Sequence, residues 1–76
     1  MKANQKPTEE LEKLGARLKE LRIAKGYSNY EQFADDHNIP RAQYGRYERG
    51  QDLRISSLFK VLRALEVTPS EFFKGF

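Results

Sequence analysis

The chain has 76 residues, no cysteine, a single histidine and a formal net charge of +3. One domain of this size buries a limited core; without cysteine, disulfides and thiolate metal sites are excluded, and His37 alone builds no metal site. No apolar run approaches the roughly 20 residues of a bilayer span, and the opening MKANQKPTEE lacks the apolar stretch of a signal peptide, so a soluble, cytoplasmic protein without a membrane partner is expected.

Residues 1–7 read as a mobile polar tail and residues 8–76 as one domain. Thr8, after Pro7 and before Glu9 and Glu10, stands where an N-cap with acids in the first turn belongs. Leu11, Leu14, Leu18 and Leu21 recur at helical spacing and mark one inward face. Lys25 and Gly26 end this helix, with Gly26 as the left-handed stop. Ser28 or Asn29 caps a second, short helix reaching about His37, with Phe33 and Ala34 inward. Asn38 suits the left-handed conformation of a sharp turn. Ile39 and Pro40 lead into a third helix that runs to about Arg49 and stops at Gly50. After the polar connection QDLR, a fourth helix carries Leu58, Phe59, Val61, Leu62 and Leu65. TPSE, Thr68 to Glu71, matches a capping box with proline at the first helical position, and Phe72 and Phe73 give the last helix something to bury. No stretch alternates with period two, so an all-α domain of five short helices is predicted.

Charge is unevenly spread. Residues 1–40 hold seven basic and seven acidic side chains, whereas residues 41–63 hold six basic and only two acidic. A local basic patch is the electrostatic footprint of a polyanionic partner; on charge alone, a solvated charged face is an equal reading. The run PRAQYGRYERG, residues 40–50, sharpens the choice. At about 100° per residue, positions 41, 42, 45, 46 and 49 share one face and positions 44, 47 and 48 turn away. Tyr44 and Tyr47 then anchor the helix to the core, while Arg41, Ala42, Arg46 and Arg49 point outward with Gly45 among them. Small residues at 42 and 45 let the helix backbone approach bases in the major groove, and arginine is the commonest bidentate reader of guanine there. Gln43 sits at the edge of this face. No nucleophile–base pair, metal cluster or Gly-rich phosphate loop is present. Asp35 and Asp36 read as a solvated helix face, and His37 as structural, so no enzyme and no cofactor are expected.

Two short helices around a tight turn, the second one basic, form the helix-turn-helix pattern. The run from Ala34 through DDHNIPRAQYGRYERG resembles the lambda-repressor-like (Cro-type, XRE-family) helix-turn-helix domains, as do LGARLKELRIAKGYS for the first helix and SLFKVLRALEVTPSEFF for the last two. The resemblance spans about residues 11–73 and implies a compact five-helix fold that binds double-stranded DNA as a repressor-like transcriptional regulator. It implies base contacts from Arg41, Ala42 and Gln43, with Arg46 one turn on, and backbone contacts from Arg49 and Arg54. Asn29 and Tyr30 stand where the family often places a phosphate-contacting glutamine. There is one extra residue between Gly26 and Phe33, and the loop after Gly50 is about one residue shorter than typical. Glu48 is implied to pair structurally with Arg22. Family members commonly bind as dimers, so a homodimer is a candidate partner; Phe72, Phe73 and Phe76 are a candidate dimer surface, with core packing favoured for the first two. The alternative is an antitoxin or adaptor that uses the same fold to bind a toxin or other protein.

Overall fold

In the computed structural model, which describes residues 8–76, five helices follow in order: α1 (Glu9–Ala24), α2 (Tyr30–Asp36), α3 (Arg41–Glu48), α4 (Ile55–Leu65) and α5 (Pro69–Phe72). The described residues contain no strand. The expected mobile tail, residues 1–7, lies outside them.

Three helices begin where a short polar side chain satisfies free N–H groups of the first turn. Thr8 Oγ1 accepts from the Leu11 amide at 3.2 Å. Asn29, not Ser28, caps α2, its Oδ1 accepting from the Gln32 amide at 2.8 Å. At α5 the capping box is complete: Thr68 Oγ1 accepts from the Glu71 amide at 3.0 Å, and Glu71 Oε1 accepts from the Thr68 amide at 2.9 Å. This second bond holds the Glu71 carboxyl below its usual pKa. Between helices the backbone turns left-handed at Gly26 (φ 110°), Asn38 (φ 59°) and Gly50 (φ 86°), as their sequence context implies. Glu66 does the same without glycine's freedom (φ 63°). The strain, about 1–2 kcal/mol for such a residue, is offset by the closure of α4, where the amides of Glu66 and Val67 donate to the carbonyls of Arg63 and Leu62. Its carboxylate accepts from Lys25 Nζ, at the end of α1, at 3.0 Å.

The core draws on every helix. Leu14 and Leu18 of α1 meet Phe33 and Ala34 of α2, Tyr44 and Tyr47 of α3, and the α4 stripe Leu58, Val61, Leu62 and Leu65; Phe72 closes it from α5. Ile39 is buried in the turn between α2 and α3. Phe59 does not join the core: it is 41 % exposed, and Ile55 beside it 65 %. Both lie on the flank of the α4 stripe, about 60–100° around the helix from Leu58.

The aromatic tail divides. Phe72 is buried, whereas Phe73 and Phe76 keep 38 % and 37 % of their surface exposed. Arg17 fastens this end to α1 by donating to the Phe72 carbonyl at 2.6 Å, and Lys13 does so by donating to the Phe76 carbonyl at 2.9 Å.

One close contact between helices involves no side chain. A Cβ added at Gly15, midway along α1, would lie 2.6 Å from the Glu48 carbonyl oxygen and 2.8 Å from both the Tyr47 oxygen and the Gly50 nitrogen. The backbone of α1 therefore rests directly on the C-terminal end of α3. Gly15→Ala adds helix propensity worth about 1 kcal/mol but pushes into backbone atoms that no rotamer change can move aside. A net loss of about 2 kcal/mol is expected, read as a lower midpoint in urea denaturation.

Candidate nucleic-acid interface

Helix α3 is held from behind by three devices. Tyr44 and Tyr47 are 0 % and 5 % exposed, so two large rings bury its inner side. The Tyr44 ring packs on Phe33 with centroids 5.0 Å apart and on Tyr47 at 6.1 Å. The Tyr44 hydroxyl is buried beside the Arg22–Glu48 pair with no hydrogen-bond partner among the described residues. Burial first, and the Glu48 carboxylate second, push its pKa up.

The second device is that ion pair. Arg22 Nε donates to Glu48 Oε2 at 2.9 Å and Nη2 to Oε1 at 2.7 Å, while Nη1 donates to the Tyr27 carbonyl at 2.9 Å. The two side chains are only 4 % and 7 % exposed. A planar fork matched to a carboxylate is the geometry in which a desolvated pair is best satisfied, and the hydrogen bonds to Glu48 raise the Arg22 pKa further. The third donor also ties down the α1–α2 loop.

The third device changes the role expected for Gly45. The residue is buried, and a Cβ there would lie 2.9 Å from Cε1 and 3.1 Å from Cζ of Tyr30. The helical wheel placed Gly45 at the centre of the outward face, free to let the backbone approach a ligand. Instead the Tyr30 ring, projecting from the first turn of α2, lies over it. Gly45 is small to admit this ring, and Tyr30 stands half-buried between the two helices.

What remains outward is cationic. Arg41, Ala42, Arg46 and Arg49 are exposed, as are Asn29 at the start of α2 and Arg54 before α4. Among the described residues Arg46, Arg49 and Arg54 make no ion pair. Arg41 does: Nε donates to Asp35 Oδ1 at 3.0 Å and Nη2 to Oδ2 at 2.6 Å. Hydrogen bonding to Arg41 holds the Asp35 carboxyl below its usual pKa, and the same bonds raise that of Arg41. Neither acid of the Asp35–Asp36 pair is simply solvated, since Asp36 Oδ2 accepts from the Tyr27 hydroxyl at 2.8 Å. Gln43 is half-buried. Its amide donates to the Tyr47 hydroxyl, at a small cleft between α3 and α4 lined by Pro40, Lys60 and Val61. His37 is structural in its contacts, with Nδ1 2.8 Å from the Phe33 carbonyl oxygen and its ring 4.4 Å from that of Phe33. No group of histidines, cysteines and acids suited to a metal ion occurs among the described residues, and none of their helices is long and apolar enough to cross a membrane.

The site thus presents a short helix, fixed on three sides, whose free side carries arginines and a small residue. Comparison with known proteins bears on what such a surface does. A helix-turn-helix family model matches residues 18–72. Among solved structures, the restriction–modification controller protein C.AhdI from Aeromonas hydrophila is 36% identical, over 87% of this chain and 100% of that one, with a TM-score of 0.77. The wild-type controller protein C.Esp1396I is 30% identical over 90% of this chain and 88% of that one, with a TM-score of 0.78. The same controller as a tetramer in complex with its natural 35-base-pair operator is 30% identical over 90% of both chains, with a TM-score of 0.78. No curated protein sequence matches the chain significantly.

Proposed function

The chain belongs to the helix-turn-helix family of sequence-specific DNA-binding regulators of transcription, and from that premise we propose that it is an operator-bound controller that sets α3 in the major groove. The observation that carries this reading is the outward row Arg41, Ala42, Arg46 and Arg49, exposed on a helix whose other sides are locked by Tyr44, Tyr47 and the Arg22–Glu48 pair. The major groove admits a helix of this kind. Arg41 and Arg46 read base edges, Ala42 leaves room for the approach, and Gln43 reaches the groove edge from its seat on Tyr47. Arg49, Arg54, Asn29 and the rim of Tyr30 meet the DNA backbone and fix the register. Residues 8–76 act as one DNA-binding unit, without cofactor or catalytic step, in the cytoplasm where its DNA lies.

A second copy of the chain is the proposed protein partner. One similar structure is a tetramer on its operator, and Ile55, Phe59, Phe73 and Phe76 offer exposed apolar area. Two copies would meet half-sites about one helical turn apart. Similarity to restriction–modification controllers makes genes of that kind the first place to look for the operator. The same neighbours favour a regulator over an antitoxin or adaptor.

Selection of preferred duplexes from a random pool, followed by salt titration on the selected site, tests the reading. Counterion release gives a slope of log K against log salt of about −0.9 per phosphate neutralised. Two backbone-facing arginines per protomer, Arg49 and Arg54, set an expected slope near −1.8 per protomer. A flat response, or a pool that yields no preferred sequence, would refute the proposal.

A further inference from the structure

We propose that Asp35 is a positioning residue for base recognition: by holding one edge of the Arg41 guanidinium, it presents the opposite edge to a guanine and keeps that arginine off the phosphates. The inference rests on the base-reading role given to Arg41 above and deepens it.

A guanidinium offers five N–H donors in a rigid planar fork. Asp35 takes the side edge, with Oδ1 3.0 Å from Nε and Oδ2 2.6 Å from Nη2. That leaves the end edge, where Nη1 and Nη2 carry parallel N–H groups, without a partner among the described residues. That free edge presents two parallel N–H groups at the spacing of N7 and O6 of guanine in the major groove. The carboxylate therefore does not consume the reading surface of Arg41; it selects it.

The support is itself fixed. Asp35 lies in the last turn of α2 and Arg41 is the first residue of α3, so their relation depends on the turn between them. Ile39 is buried at 5 % exposure and its amide donates to the Ala34 carbonyl at 2.9 Å. Asn38 takes the left-handed conformation, and Lys60 Nζ donates to its carbonyl from α4 at 3.2 Å. A long arginine side chain left alone would sample many rotamers and settle on any phosphate in reach. With its charge offset by Asp35 and its plane set, Arg41 is a weak phosphate clamp and a good base reader. Arg49 and Arg54, the backbone-facing arginines, which have no acidic partner among the described residues, are the opposite.

The experiment uses the full chain as wild type, Asp35→Asn, Asp35→Ser and Arg41→Ala, with a duplex selected by the wild type from a random pool and its single-base-pair variants. Both partners are largely exposed, at 62 % and 48 % for the side chains, and thermal melts check that each variant is folded. Asp35→Asn and Asp35→Ser are expected to lower the preference for guanine at one position of the half-site by roughly tenfold. Binding to a scrambled duplex should hold or tighten, and the salt slope should steepen as Arg41 turns to phosphate. Replacing that guanine with 7-deazaguanine should weaken the wild type and leave Asp35→Asn nearly unchanged. If both Asp35 variants keep the wild-type base preference, or tighten the selected site with preference intact, the carboxylate merely competes with DNA and the proposal falls. Arg41→Ala separates the two levels. Loss of preference in Arg41→Ala but not in the Asp35 variants sinks only this inference, whereas preference retained in Arg41→Ala sinks the base-reading role of Arg41 as well.

Discussion

Arg22→Ala is expected to destabilise the domain by about 3–5 kcal/mol, the loss seen when one partner of a buried ion pair is removed. The expectation rests on exposure: the two side chains are 4 % and 7 % accessible, so the alanine variant leaves the Glu48 carboxylate buried and unpaired beside the Tyr44 hydroxyl. It also orphans the Tyr27 carbonyl, which Arg22 Nη1 serves at 2.9 Å. In a domain this small the melting temperature should fall by at least about 12 °C, which circular dichroism would read directly. The double variant Arg22→Met with Glu48→Leu should recover most of the loss, because well-packed apolar residues often replace a buried pair without penalty. A loss under about 1 kcal/mol in Arg22→Ala would mean that the pair behaves as a solvated surface bridge.

The second large effect concerns binding and leaves stability alone. Arg41→Ala combined with Arg46→Ala should weaken binding to the selected duplex by at least roughly thirtyfold, at about 1–3 kcal/mol of discrimination per bidentate contact. Because both residues are exposed, the double variant should melt within a degree or two of the wild type, in keeping with the small effects of surface substitutions. Fluorescence anisotropy on the selected and a scrambled duplex gives both numbers. Affinity that survives the double substitution would show that another surface reads the DNA.

These two experiments probe features of different legibility. Helix starts were readable because a cap is a local event: Thr8, Asn29 and Thr68 each bond an amide three residues away. The leucine stripe of α1 and the tyrosines of α3 were readable for the same reason, since periodicity reports a face within one element. Arg22 and Glu48 lie 26 residues apart, and nothing local announces their pairing; it came through family resemblance alone. Gly15 carried no signal at all, because its smallness matters only where a second backbone crosses it. Gly45 was placed on the free face by a wheel that treats a helix in isolation, and the ring that covers it belongs to α2. Asp35 was taken for a solvated acid because its bond to Arg41 spans a turn whose geometry the sequence names only through Asn38. In each case the missing information was how two elements sit against one another.

The crossing at Gly15 has a consequence for how such a protein could acquire new targets. With the backbones of α1 and α3 in direct contact, α3 has almost no freedom to tilt or slide toward an altered site. On the proposed reading, adaptation would instead run through the side chains on its free side, at positions 41, 42 and 46, which contribute nothing to the core. Scaffold and address are thereby separable. The same framework could then be re-addressed by a few exchanges at its surface.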